Sequence, residues 1–153
     1  MQLSLHTDYA LRTLMTLASL DRQSSVEEIA RRYGISRNHL AKVAQRLQAE
    51  GYIETFRGRG GGMRLARPAS EIRVGEVVRR FESLDSFVGC FAGGSGCAVA
   101  GLCGLKPVLS GALDAFLAHL DAVTLEDLVP DRAAYFAQLD RPAPVTDDTP
   151  ALA

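Results

Sequence analysis

The sequence predicts a mainly α-helical fold with one small β hairpin, on three observations. Apolar residues recur at helical spacing between Asp8 and Leu47, and again from Pro107 to Val123. Two short alternating runs, Tyr52-Ile53-Glu54-Thr55-Phe56 and Met63-Arg64-Leu65-Ala66, flank the turn Arg57-Gly58-Arg59-Gly60-Gly61-Gly62. Glycine then crowds residues 89–104 around Cys90, Cys97 and Cys103, a composition that forms no regular element without outside support.

Taken in order, the first helix runs from Asp8 to Leu20, with Leu11, Leu14, Met15, Leu17 and Ala18 on its inner face and Thr7 or Asp8 placed to cap it. Ser24 or Ser25 caps a short second helix, Val26 to Tyr33, and Gly34 stands where a helix end favours a left-handed residue. Ser36 begins a third helix that buries Leu40, Val43, Ala44 and Leu47 and ends at Gly51. Its outer face carries Arg37, Asn38, His39, Lys42, Gln45 and Arg46. Pro68 closes the hairpin, and Val74, Val77, Val78 and Phe81 line one side of a fourth helix. Pro107 suits the start of a long helix whose stripe of Leu109, Ala112, Leu113, Phe116, Leu117, Leu120 and Val123 calls for a partner. Thr124 can cap one more turn through Leu128. Beyond it Pro142, Pro144, Pro150 and the pair Asp147-Asp148 predict a poorly ordered tail.

At 153 residues and 47% hydrophobic, the chain suits one globular body. No stretch approaches the ~18 to 20 unbroken apolar residues of a membrane span. The N-terminus has no basic start or cleavage site, so a cytoplasmic protein without a membrane partner is expected. An odd number of cysteines within one short stretch argues against a secreted disulfide framework and for metal or redox chemistry. The net charge of -1 hides an asymmetry. Residues 31–67 hold nine basic side chains (Arg31, Arg32, Arg37, Lys42, Arg46, Arg57, Arg59, Arg64 and Arg67) against Glu50 and Glu54, a local +7. Residues 104–153 hold three basic against eight acidic, a local -5, so the polyanion-binding end is N-terminal.

Two helices, a short turn with a glycine, and a third helix with a polar and basic outer face make a helix-turn-helix, which the hairpin makes winged. A long C-terminal helix whose apolar stripe needs a partner completes the fold class. Such a third helix fits the major groove of double-stranded DNA. Ser36, Arg37, Asn38, His39, Lys42, Gln45 and Arg46 are its candidate DNA-binding residues, with Arg57, Arg59 and Arg64 on the hairpin approaching phosphates or a minor groove. An isolated basic cluster is more often a solvated face; here helix, turn, helix, hairpin and local charge coincide within ~60 residues, and it is their conjunction that points to DNA. The glycine run is not a nucleotide loop, because Met63 breaks the third position of GxGxxG and no Gly-Lys-Ser/Thr follows.

Cys90-x6-Cys97-x5-Cys103 offers three thiolates, the ligands that iron-sulfur clusters require. Zinc with a fourth ligand would use the same residues, although its structural sites usually show closer Cys-x2-4-Cys pairs. Three unligated thiols are the bland alternative.

The opening Met-Gln-Leu, Thr7-Asp8-Tyr9-Ala10-Leu11-Arg12, Ile35-Ser36-Arg37-Asn38-His39-Leu40, Arg57-Gly58-Arg59-Gly60-Gly61 and the cysteine trio together resemble the NsrR-type branch of the Rrf-type winged-helix regulators. The resemblance covers roughly residues 1–130. It implies a transcriptional repressor rather than an enzyme: a homodimer, joined through the long helix, that binds a palindromic operator and releases it when nitric oxide attacks a 4Fe-4S cluster. It assigns the cluster to Cys90, Cys97, Cys103 and, from the other subunit, Asp8, which as a residue near a helix start has the alternative role of a cap. The related IscR type, with a 2Fe-2S cluster, has histidine three residues after the last cysteine, where this chain has Lys106. His6, His39 and His119 lie in other elements. A two-iron regulator is therefore the alternative, and a cluster-bearing redox protein a further one. The expected organisation is a DNA-binding domain over 1–82, a cluster-binding loop over 83–104, the dimerisation helix over 105–130 and a flexible tail over 131–153.

Overall fold

A computed structural model describes residues 3–20, 22–58, 60–86 and 102–141. Helix α1 spans Leu5–Ser19. It starts earlier than the apolar periodicity suggests: Ser4, not Thr7 or Asp8, is the cap, its hydroxyl accepting from the Thr7 N–H at 3.2 Å. Asp8 instead sits in the first turn, where its charge suits the helix dipole. The buried face mixes Ala10, Leu14, Leu17 and Ala18 with Thr13 and Thr16, whose hydroxyls are satisfied by donating to the carbonyls of Tyr9 and Arg12.

Helix α2 spans Val26–Tyr33, capped by Ser25, and Gly34 ends it at φ +64°, a backbone conformation that a Cβ penalises. Ser24, the other candidate cap, pairs its backbone with Met63 in the hairpin. Helix α3, Arg37–Ala49, lays Leu40, Val43, Ala44 and Leu47 on α1 and α2, as its periodicity predicts. Strands β1, Ile53–Phe56, and β2, Gly62–Leu65, pair antiparallel, with Glu54 opposite Arg64 and Thr55 opposite Met63.

Helix α4 spans Val74–Phe81 and packs on α1 and on α5, Leu105–Asp121. Gly75 makes the second contact possible: a Cβ there would lie 2.1 Å from the Asp121 carboxylate and 2.9 Å from its backbone nitrogen. Asp121 in turn pairs with Arg79 at 2.5 Å. After α5, Thr124 and Asp127 bond reciprocally in a turn that does not extend into a helix, and the Leu125 N–H donates to the Ile72 carbonyl at 2.8 Å. Most of the core lies among α1, α2, α3 and the hairpin, while Val74, Val78, Leu113 and Leu117 form a second cluster.

Over residues 131–140 the expectation of a flexible tail is corrected by α6, Arg132–Leu139, capped by Asp131, while 142–153 lie outside the described residues. It folds because α1 and α2 give it a surface. Tyr135 bonds Tyr33 hydroxyl to hydroxyl at 2.7 Å, Tyr33 meets Thr16 at 3.0 Å, and Phe136 carries the Arg32 guanidinium 4.3 Å above its ring. Among the described residues no helix is long and apolar enough to cross a membrane.

Candidate nucleic-acid interface

Burying one face of α3 turns the other outward. Ser36, Arg37, Asn38, His39, Lys42, Gln45 and Arg46 are all exposed, and Asn38, Lys42 and Gln45 fall one above another at i, i+4 and i+7. Asn38, His39, Lys42 and Gln45 enter no side-chain hydrogen bond or ion pair among the described residues. Their donors and acceptors are free for base edges. Ser36 caps α3 by position, with no hydrogen bond from its hydroxyl.

The arginines divide differently. Arg37 pairs with Glu27, and Arg64 with Glu54 across the hairpin at 3.1 Å, its guanidinium 4.7 Å above the Phe56 ring. Both pairs are exposed and screened by water, so a phosphate can displace either carboxylate cheaply. Arg67 is held by Glu76 at 2.7 Å and stacks on Tyr52. Arg32 lies between Glu28 and Asp140, at 2.9 and 2.6 Å. The charge of Arg46 is spent on the Arg80 carbonyl and the Phe81 ring. Arg57, just past β1, is exposed and unpaired among the described residues; Arg59 lies outside them.

Two features were not legible in the sequence. Gln48 accepts a hydrogen bond from the Thr55 hydroxyl at 3.1 Å, tying the hairpin to α3. Arg31, counted only as charge, stands exposed in the last turn of α2. Contacts between separate elements leave no periodic trace, although the last-turn arginines of α2 were a signal for Arg31.

Of the expected metal ligands, Cys90 and Cys97 lie outside the described residues. Cys103 is a free, half-buried thiol just ahead of α5. Asp8 is partly exposed and paired with Arg12 at 2.8 Å, one turn along α1. Among the described residues no group of three or more histidine, cysteine or acidic side chains is gathered for a metal. An uncommitted thiol and an accessible carboxylate fit an iron-sulfur donor set in kind. Lys106, in the first turn of α5, cannot supply the imidazole of the two-iron alternative.

Residues 3–131 match the family model of Rrf2, described as an iron-dependent transcriptional regulator. The chain is 47% identical over 137 residues to the HTH-type transcriptional regulator NsrR of Geobacillus kaustophilus (strain HTA426), covering 88% of this chain and 93% of that protein. It is 48% identical over 135 residues to NsrR of Bacillus subtilis (strain 168), covering 86% and 92%. Among solved structures it is similar to T. potens IscR, with a TM-score of 0.70 and 26% identity over 93% of this chain and 94% of that one.

Proposed function

This chain belongs to the Rrf2 family of transcriptional regulators, and from that premise we propose that it is a cytoplasmic, homodimeric repressor whose hold on a palindromic operator depends on an iron-sulfur cluster and is released by nitric oxide. It is a regulator and not an enzyme. The row of unspent polar side chains on α3, Asn38, His39, Lys42 and Gln45, carries the DNA-binding reading.

In this reading the N-terminal half of α3 enters the major groove, Asn38 and Gln45 address base edges, and Lys42 and Arg57 grip phosphates. Arg37, Arg64 and Arg59 add further phosphate contacts. The two α3 helices of a dimer must stand about 34 Å apart to meet successive major grooves. Cys90, Cys97 and Cys103 with the partner subunit's Asp8 would hold a 4Fe-4S cluster between the subunits. The cluster supplies an iron centre with which nitric oxide reacts. Asp8 serving as a ligand would give up Arg12 and would fix the first turn of α1 relative to the other subunit. When that tie is lost, α1 and the α3 packed on it are free to leave register. A hundredfold loss of operator affinity needs only ~2.7 kcal/mol, within the ordinary range of coupling between sites.

A 2Fe-2S centre is the second reading, favoured by the structural likeness to IscR and opposed by Lys106. Iron and sulfide analysis of anaerobically purified protein, run beside operator binding, decides between them. About four irons per subunit and binding that disappears on nitric oxide treatment are expected, and Cys97→Ala should lose chromophore and binding together. A colourless protein that still binds its operator would refute cluster control.

A further inference from the structure

Three elements meet at the last turn of α4. Arg46, near the C-terminal end of α3, lays its guanidinium 4.6 Å above the Phe81 ring and donates to the backbone carbonyl of Arg80. The Arg80 side chain reaches back to Glu50, the residue that ends α3, at 3.3 Å. The next acidic residue, Glu82, accepts a 2.7 Å hydrogen bond from the backbone N–H of Ser4, the cap of α1. Burial pushes the Glu82 carboxyl up, but hydrogen bonds from Thr7 and Ser4, with the charge of Arg46, leave it below its ordinary value. From this corner the chain departs into the cysteine-bearing segment.

We infer that Arg46 is a positioning residue and not a phosphate contact: with Glu50 it pins the end of α3 to residues 80–82, the corner that also receives the start of α1. The tilt of the reading helix is thereby set at the root of the cysteine segment. The inference rests on α3 being the DNA-reading element. It differs from simple charge complementarity in sign: Glu50, an acidic residue beside a polyanion site, strengthens DNA binding by holding Arg80.

The test uses full-length, anaerobically purified protein and a duplex that the wild type selects from a random pool. Arg46→Met keeps an apolar stem over Phe81 and removes the charge, Arg46→Lys keeps the charge and loses the planar stack, and Glu50→Gln releases Arg80. All three should bind the selected duplex at least about tenfold more weakly, with the slope of log affinity against log salt unchanged, because the number of neutralised phosphates is unchanged. A slope shallower by about 0.9 in Arg46→Met, with Arg46→Lys at wild-type affinity, would make Arg46 a phosphate contact and overturn the inference. Tighter binding by Glu50→Gln, or wild-type affinity in all three, would overturn it as well. Should an arginine variant fail to fold by circular dichroism, Glu50→Gln carries the test, since it leaves Arg46 on its ring. A wild type that selects no duplex refutes the DNA-binding function itself, a failure separate from that of the variants.

Discussion

Arg32 shows how a cation is withdrawn from a binding surface. Its side chain is 9% exposed, held by Glu28 and Asp140 and flattened on Phe136, and its Nε has no partner among the described residues. Glu28 answers both Arg22 and Arg32, and Arg22, with Ser24 and Arg32, brings its carboxyl down to about 2 against the opposing effect of burial. A carboxyl depressed in the folded state stabilises the protein above its ordinary value of 4.5, and that contribution is lost as pH falls toward about 2. Glu28→Gln should therefore lower stability at neutral pH and flatten the acid limb between those values, as read in urea melts across pH. Arg57 is the opposite case, exposed and unpaired among the described residues. Arg57→Ala should make the salt slope of operator binding shallower by about 0.9 per subunit head while leaving the melting temperature unchanged. Sequence alone located Asn38, His39, Lys42 and Gln45 on the outer face of α3, since that helix exposes what its periodicity leaves polar. It could not say which charges were already spent: Arg46 meets Arg80 across 34 positions, and Arg32 meets Asp140 across 108.

Helices and strands were legible where a local signal marked their ends. Ser25 and Gly34 bound α2, and Val74 to Phe81 is a helix over the span its apolar spacing predicts. The start of α1 escapes the apolar pattern because Ser4 lies about two turns ahead of Leu11, the first leucine of the predicted inner face. Helix α6 was missed because the prolines beyond it dominate the composition, and its eight residues bury no side chain fully. Docking on α1 and α2 makes it a helix, and that depends on residues a hundred positions away. Tyr135→Phe leaves the Tyr33 hydroxyl with Thr16 as its one partner among the described residues and should cost about 1 kcal/mol. In a calorimetric scan that is a fall of about 2–4 °C. Gly75 belongs to this scale as well, since only an absent Cβ lets the end of α5 close on the start of α4.

For the molecule as a whole, α5 is the informative element: 17 residues long, it buries only Leu113 and Leu117, while Leu105 and Val108 stand 61% and 66% exposed. A helix so apolar and so little covered agrees with the dimer proposed above. Val108→Glu should then shift the protein toward monomer in analytical ultracentrifugation and weaken operator binding with it, without changing the helix content of each subunit. The cysteine segment between α4 and α5 is marked by its glycine and thiol content alone, and residues 87–101 lie outside the described residues. Finally, the internal carboxylates that occupy Arg32 and Arg67 bear on how such a protein travels. General attraction to the chromosome scales with loose positive charge. With Arg32 and Arg67 paired at home, the head offers fewer loose cations to arbitrary sequence, which under the proposed function means a weaker grip on random DNA and quicker scanning.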